Sequence, residues 1–139
     1  MSTTQAEEMP EKTAPVELTS ATFDDFVNDH PVVLVDFWAA WCPPCRRMAP
    51  IFEALAADLA GRVVVAKLDT EHNRETARRF GIRAIPTFVV FRDGKVVAFS
   101  AGGRPKAALL ALVEPHLGPR EGSEGLGPSP AAVEADRER

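Results

Sequence analysis

Seven residues, Val32 to Trp38, are apolar except for Asp36, and the run has the length and β-branched content of a strand buried on both faces. From Pro44 the apolar positions fall instead at three- and four-residue spacings: Met48, Ile51, Phe52, Leu55, Ala56 and Leu59. That period predicts a helix with one inward stripe, and Arg46, Arg47, Glu53 and Asp58 lie off it. Pro50 removes the N–H that would bond the Arg46 carbonyl, so a kink is expected there, and Gly61 closes the helix. Val63 to Leu68 is a second β-branched run. Strand, helix and strand in this order predict a right-handed unit with parallel strands.

The remaining elements follow the same two periods. Val16 to Leu18 fits a short edge strand. Phe23, Phe26 and Val27 fit a helix with Thr22 as its N-cap, ended by Pro31. Asn73 to Phe80 reads as a short helix with Ala77 and Phe80 inward, stopped by Gly81. Thr87–Phe91 and Val96–Phe99 flank Asp93-Gly94, a hairpin signal that makes this last pair antiparallel. Pro105 suits the first position of a final helix whose inner face is Leu109, Leu112 and Val113, and Pro115 stops or bends it. Residues 1–15 are mostly polar and residues 118–139 have almost no large apolar position, so they are expected to be a disordered leader and tail around one domain, residues 16–117.

Composition narrows the function. Hydrophobic residues make up 45% and charged residues 26% of the 139, an ordinary globular balance, and no internal repeat is present. A net charge of −4 without a basic block disfavours nucleic acid as a partner. The apolar runs are far short of a membrane span. Residues 1–15 show no signal-peptide pattern, so a cytoplasmic protein is expected.

The chemistry concentrates at Trp41-Cys42-Pro43-Pro44-Cys45, which holds the only two cysteines. Residues three apart at a helix start share a face at roughly 5–6 Å, within reach of a disulfide that opens and closes with little backbone movement. Free N–H groups at a helix N-terminus favour a thiolate. Cys42, at the very start, is therefore the expected nucleophile, and Cys45, one turn inside, the resolving thiol. A zinc half-site would need two more ligands, and His30, His72 and His116 show no paired spacing, so no metal is expected. Asp36 is costly in its apolar run and should have a raised pKa suited to exchanging a proton with Cys45, with Lys67 on the neighbouring strand as its pairing partner. Trp38 and Phe37 read as core.

The segment Val35-Asp36-Phe37-Trp38-Ala39-Ala40-Trp41-Cys42-Pro43-Pro44-Cys45-Arg46-Arg47-Met48-Ala49-Pro50 resembles the signature of thioredoxins, as does Gly81-Ile82-Arg83-Ala84-Ile85-Pro86-Thr87. The likeness runs from about Val16 to Leu117, with one departure: Pro43 stands where thioredoxins usually have glycine. It implies an α/β fold, a central mixed sheet flanked by helices on both faces, which agrees with the predicted element order βαβαβαββα. It implies further that Pro86 is cis and faces the cysteines, leaving the N–H and carbonyl of Ile85 to pair with an extended substrate segment. Trp41, Pro43, Ala84, Ile85, Ala101 and Gly102 would complete an apolar rim around Cys42.

The activity implied is reduction of protein disulfides by a monomer that uses the Cys42–Cys45 pair and no cofactor. Electrons would come from a flavin-dependent thioredoxin reductase that draws on NADPH, since the chain has no glycine-rich dinucleotide motif of its own. Two alternatives share the fold: an oxidase or isomerase, and a non-catalytic binding module. Asp36 and the intact cysteine pair favour the reductase.

Overall fold

A computed structural model describes residues 14–117, so the expectations for residues 1–13 and 118–139 lie outside the described residues. Five strands, β1 (Val16–Leu18), β2 (Val32–Trp38), β3 (Val64–Asp69), β4 (Thr87–Arg92) and β5 (Lys95–Ala101), form one sheet in the order β1-β3-β2-β4-β5. β3 runs parallel to both β1 and β2, whereas β4 is antiparallel to β2 and to β5. The helices are α1 (Phe23–Asp29), α2 (Pro43–Asp58), α3 (Arg74–Arg79) and α4 (Lys106–Val113), with a 3-10 turn at Glu114–His116.

β2 lies at the centre and is hydrogen-bonded along both edges, which is why its apolar run needs no polar face. Its alternation divides the core in two. Val33, Val35 and Phe37 point to one side, where Phe23 and Val27 of α1 cover them. Phe23, Phe80 and Phe91 pack there ring on ring, with centroids 5.3–5.5 Å apart. Val32 and Leu34 point to the other side, under Met48, Phe52, Leu55 and Leu59 of the α2 segment and Leu109 and Val113 of α4. Period two therefore puts Asp36 on the α2 side, at the level of the cysteines.

Some local expectations shift. α2 begins at Pro43, one residue earlier than predicted, and runs on through Pro50, which sits on its exposed side. It ends at Asp58, and the chain turns back through Gly61 at φ +88°, a conformation only glycine holds without strain. Thr22 stands at the N-cap of α1, but its hydroxyl bonds the Thr19 carbonyl instead of the helix amides. Pro105 caps α4 from outside: its carbonyl accepts from Ala108 and Leu109, and Lys106 is the first helical residue.

Candidate active site

The loop after β2 feeds directly into α2, so Cys42 becomes the N-cap of that helix. In that position a side-chain acceptor meets the unpaired amides of the first turn. Pro43 and Pro44 have no N–H to give, and the amide of Cys45 donates to Cys42 Sγ at 3.3 Å. The two prolines thus leave one backbone donor, aimed at one sulfur. Both cysteines are free, and each is only 3% exposed. They cluster with Ala39, against Trp38 and Ile85.

The second half of the site comes from the segment before β4. The Ile85–Pro86 bond is cis, and the Ile85 carbonyl lies 3.8 Å from Cys42 Sγ, as acceptor of its S–H. The Ile85 carbonyl thus faces the nucleophile from the second half of the site. Thr87 Oγ1 donates to the Ala84 carbonyl at 2.6 Å and fixes the turn. The Gly102 amide donates to the Pro86 carbonyl at 2.7 Å, and Ala101 pairs in register with Thr87. Ala101, Gly102, Ile85, Pro86 and Cys42 are thereby brought together from two distant parts of the sequence. Ala84 and Pro43 are exposed, and Trp41, next to Cys42, is 61% exposed.

Behind the cysteines lies a 260 Å3 cavity lined by Asp36, Trp38, Cys45, Phe52 and Lys67, with Arg46 and Glu53 also at its wall. Asp36 is 4% exposed and its Oδ1 has no hydrogen-bond partner among the described residues. Burial pushes its pKa up to about 7, with the Lys67 cation pulling the other way. Burial also pushes the Cys45 thiol up to about 12, reinforced by its hydrogen bond with Cys42 and opposed by a backbone hydrogen bond from Ala39. A thiol that holds its proton and a carboxyl that is half ionised near neutrality therefore face one cavity.

Lys67 is opposite Asp36 in the β2–β3 register, but the expected ion pair does not form. Its Nζ sits 4.2 Å from the centroid of the Trp38 ring instead. A cation over an indole face keeps part of its charge stabilisation while staying near water, and from there it acts on Asp36 through space. Trp38 is accordingly a wall of the site and not simple core. Its Nε1 is buried without a partner among the described residues, and its carbonyl accepts from the amide and hydroxyl of Thr70. An aromatic at a strand end gives no local sign of this, because the cation that covers it belongs to another strand.

Among the described residues, no cluster of three or more His, Cys, Asp or Glu could hold a metal ion, and no helix is long and apolar enough to cross a membrane. The family model for thioredoxin matches residues 14–115. The thioredoxin of Staphylococcus saprophyticus is 44% identical over 102 residues, which cover 73% of this chain and 97% of that protein. That of Mycobacterium bovis is 46% identical over 101 residues, 72% of this chain and 87% of its own length. Among solved structures, a mutant thioredoxin from Halobacterium salinarum superposes with a TM-score of 0.72 at 35% identity, covering 77% of this chain and 94% of that one. The cysteine pair at the start of α2, the sheet that carries it and these relatives agree: the chain belongs to the thioredoxin family and is a thiol-disulfide oxidoreductase.

Proposed function

We propose that the protein works as a reductant of protein disulfides, with Cys42 attacking and Cys45 resolving. The observation that carries this reading is the Cys45 N–H directed at Cys42 Sγ at 3.3 Å, beside a buried carboxyl with a pKa of about 7. In the first step the Cys42 thiolate attacks one sulfur of the substrate disulfide. A Cys42–substrate disulfide forms, and the other substrate sulfur leaves as a thiolate and takes up a proton. In the second step Cys45 gives its proton to the Asp36 carboxylate and attacks Cys42 Sγ. The mixed disulfide breaks, the second substrate sulfur leaves as a thiolate and is protonated, and the Cys42–Cys45 disulfide remains. Two electrons have passed to the substrate. The 260 Å3 cavity suits a short water chain between Asp36 and Cys45, each water occupying about 30 Å3.

Lys67 serves in this scheme as a positioning charge that limits how far burial raises Asp36. Trp41, Pro43, Ala84, Ile85, Pro86, Ala101 and Gly102 form the surface on which the substrate segment lies. The family's usual partners supply the rest of the cycle: disulfide-bearing proteins as substrates, and a flavin-dependent reductase that returns the pair to dithiol. The working unit is a cytoplasmic monomer of residues 16–117, with no metal or cofactor beyond its own disulfide and no nucleic-acid or membrane partner.

Reduction of insulin in the presence of dithiothreitol tests the reading. Catalysed precipitation of the insulin chains, lost in Cys42→Ser, is the expected result. A wild-type protein that leaves insulin intact while oxidising dithiol peptides would make it an oxidase instead.

A further inference from the structure

On the α4 side of the cysteines, a groove of 410 Å3 runs between the N-terminal half of α2 and residues 103–105, which lead into α4. Its floor is apolar: Pro44, Met48 and Ile51 on one side, Gly103 and Pro105 on the other. It opens from the active-site rim, since Pro44 lies between the cysteines and Gly103 follows the glycine whose amide holds Pro86. Arg47 and Arg104 flank it, and no carboxylate lines it. Both arginines are exposed, and neither has an ion-pair partner among the described residues. Arg104 is nevertheless held in place, its Nε donating to Ser100 Oγ at 2.9 Å. These two cations stand beside an apolar floor on a chain whose net charge is −4.

We propose that this groove is a docking surface for an acidic and apolar segment of the disulfide-bearing partner, adjacent to the cysteine that Cys42 attacks. The proposal rests on the reductase reading above and adds a preference among its substrates. Charge complementarity selects the occupant: an aliphatic side chain covers Met48 and Ile51, and carboxylates on either side meet Arg47 and Arg104. Arg47 is five residues beyond Cys42, a rise of about 8 Å along the helix. An extended segment spans that in two or three residues. The recognised acids therefore lie within about three residues of the partner's cysteine.

Single-turnover reduction of disulfide-linked peptide dimers by the full reduced chain, at physiological salt, tests this. The probes carry a leucine near the cysteine, flanked by two glutamates, two glutamines or two lysines. The glutamate peptide is expected to react about fivefold faster than the glutamine peptide, and the lysine peptide slowest. The double variant Arg47→Glu/Arg104→Glu should invert that order. Arg62→Glu, beyond the far end of α2, should preserve it. Equal wild-type rates for all probes, or a glutamate preference that survives the double variant, would overturn the docking surface while leaving the reductase intact. Failure of wild type to reduce any probe would sink the reductase reading and this surface with it. Concentration-dependent self-association in sedimentation, abolished by the double variant, would assign the groove to a second copy of the chain and also overturn the proposal.

Discussion

At the scale of single residues, the two cysteines differ because one sulfur is an N-cap acceptor and the other is a buried thiol pushed up to about 12. Cys45→Ser should accumulate Cys42–substrate mixed disulfides on non-reducing gels, and Cys42→Ser almost none. Equal trapping would contradict the assigned roles. Asp36 allows a prediction in pH. Its folded carboxyl, at about 7, keeps its proton across a window from about 4 to 7 where the unfolded chain, at 3.8, has released it. The folded state binds more protons there, so stability falls as pH rises through the window. Above it the cost is fully present, on the order of 4 kcal/mol. Asp36→Ala removes that cost and leaves a cavity loss that does not depend on pH. Urea melts at pH 4.5 and pH 8 should show the variant gaining about 2–4 kcal/mol on wild type between them. Turnover should fall about tenfold or more near neutral pH. A pH-independent difference with unchanged turnover would make Asp36 purely structural. Asp36 and both cysteines were legible in the sequence because each breaks a local pattern, a charge in an apolar run and a lone CxxC, whereas cis Pro86 was expected only from the resemblance of its motif to thioredoxins. Trp38 and the seat of Lys67 were not, since one fits its strand and the other depends on the register between β2 and β3.

Among the elements, α2 connects the chemistry to the core: its first turn presents the cysteines and its later turns bury Phe52 and Leu55. Pro43 begins that helix. The residue before a proline resists helical geometry, and from the sequence this strain would be expected mainly when the disulfide closes, making the pair easier to reduce. The structure alters that expectation, because Pro43 is already helical while both thiols are free. Strain carried in both redox states cancels from their difference. Nor would glycine restore a useful donor, as an N-cap acceptor takes the amides of the second and third helical residues, and here Cys45 supplies it. Pro43→Gly should therefore shift the potential by less than about 10 mV, equivalent to roughly 0.5 kcal/mol. Equilibration of both proteins in glutathione buffers measures it. A shift of about 20 mV to more negative values would place the strain in the oxidised form after all. The periods of α2 and the strands were readable along the chain. The groove between α2 and the segment before α4 was not, because Arg47 and Arg104, far apart in sequence, come to flank one groove only in the folded chain.

For the molecule as a whole, the described residues 14–117 contain both halves of the core and every site group named. A chain cut to 14–117 should melt within about 2 °C of the full chain. It should also reduce insulin at the same rate, and a large loss of either would give the outer residues a part in the fold or the site. The near-complete burial of Cys42 and Cys45 has one more consequence. Their bond is made and broken inside the packed protein, so redox chemistry and unfolding share one thermodynamic cycle. A substitution that shifts the potential of the folded protein, relative to its own unfolded chain, must separate the stabilities of the oxidised and reduced forms by the matching free energy, about 1.4 kcal/mol for each 30 mV. Denaturing the two forms side by side thus measures the potential of the folded protein relative to its unfolded chain with no redox buffer present. A Pro43→Gly protein whose oxidised and reduced forms change stability in parallel would be one whose reducing power is left alone.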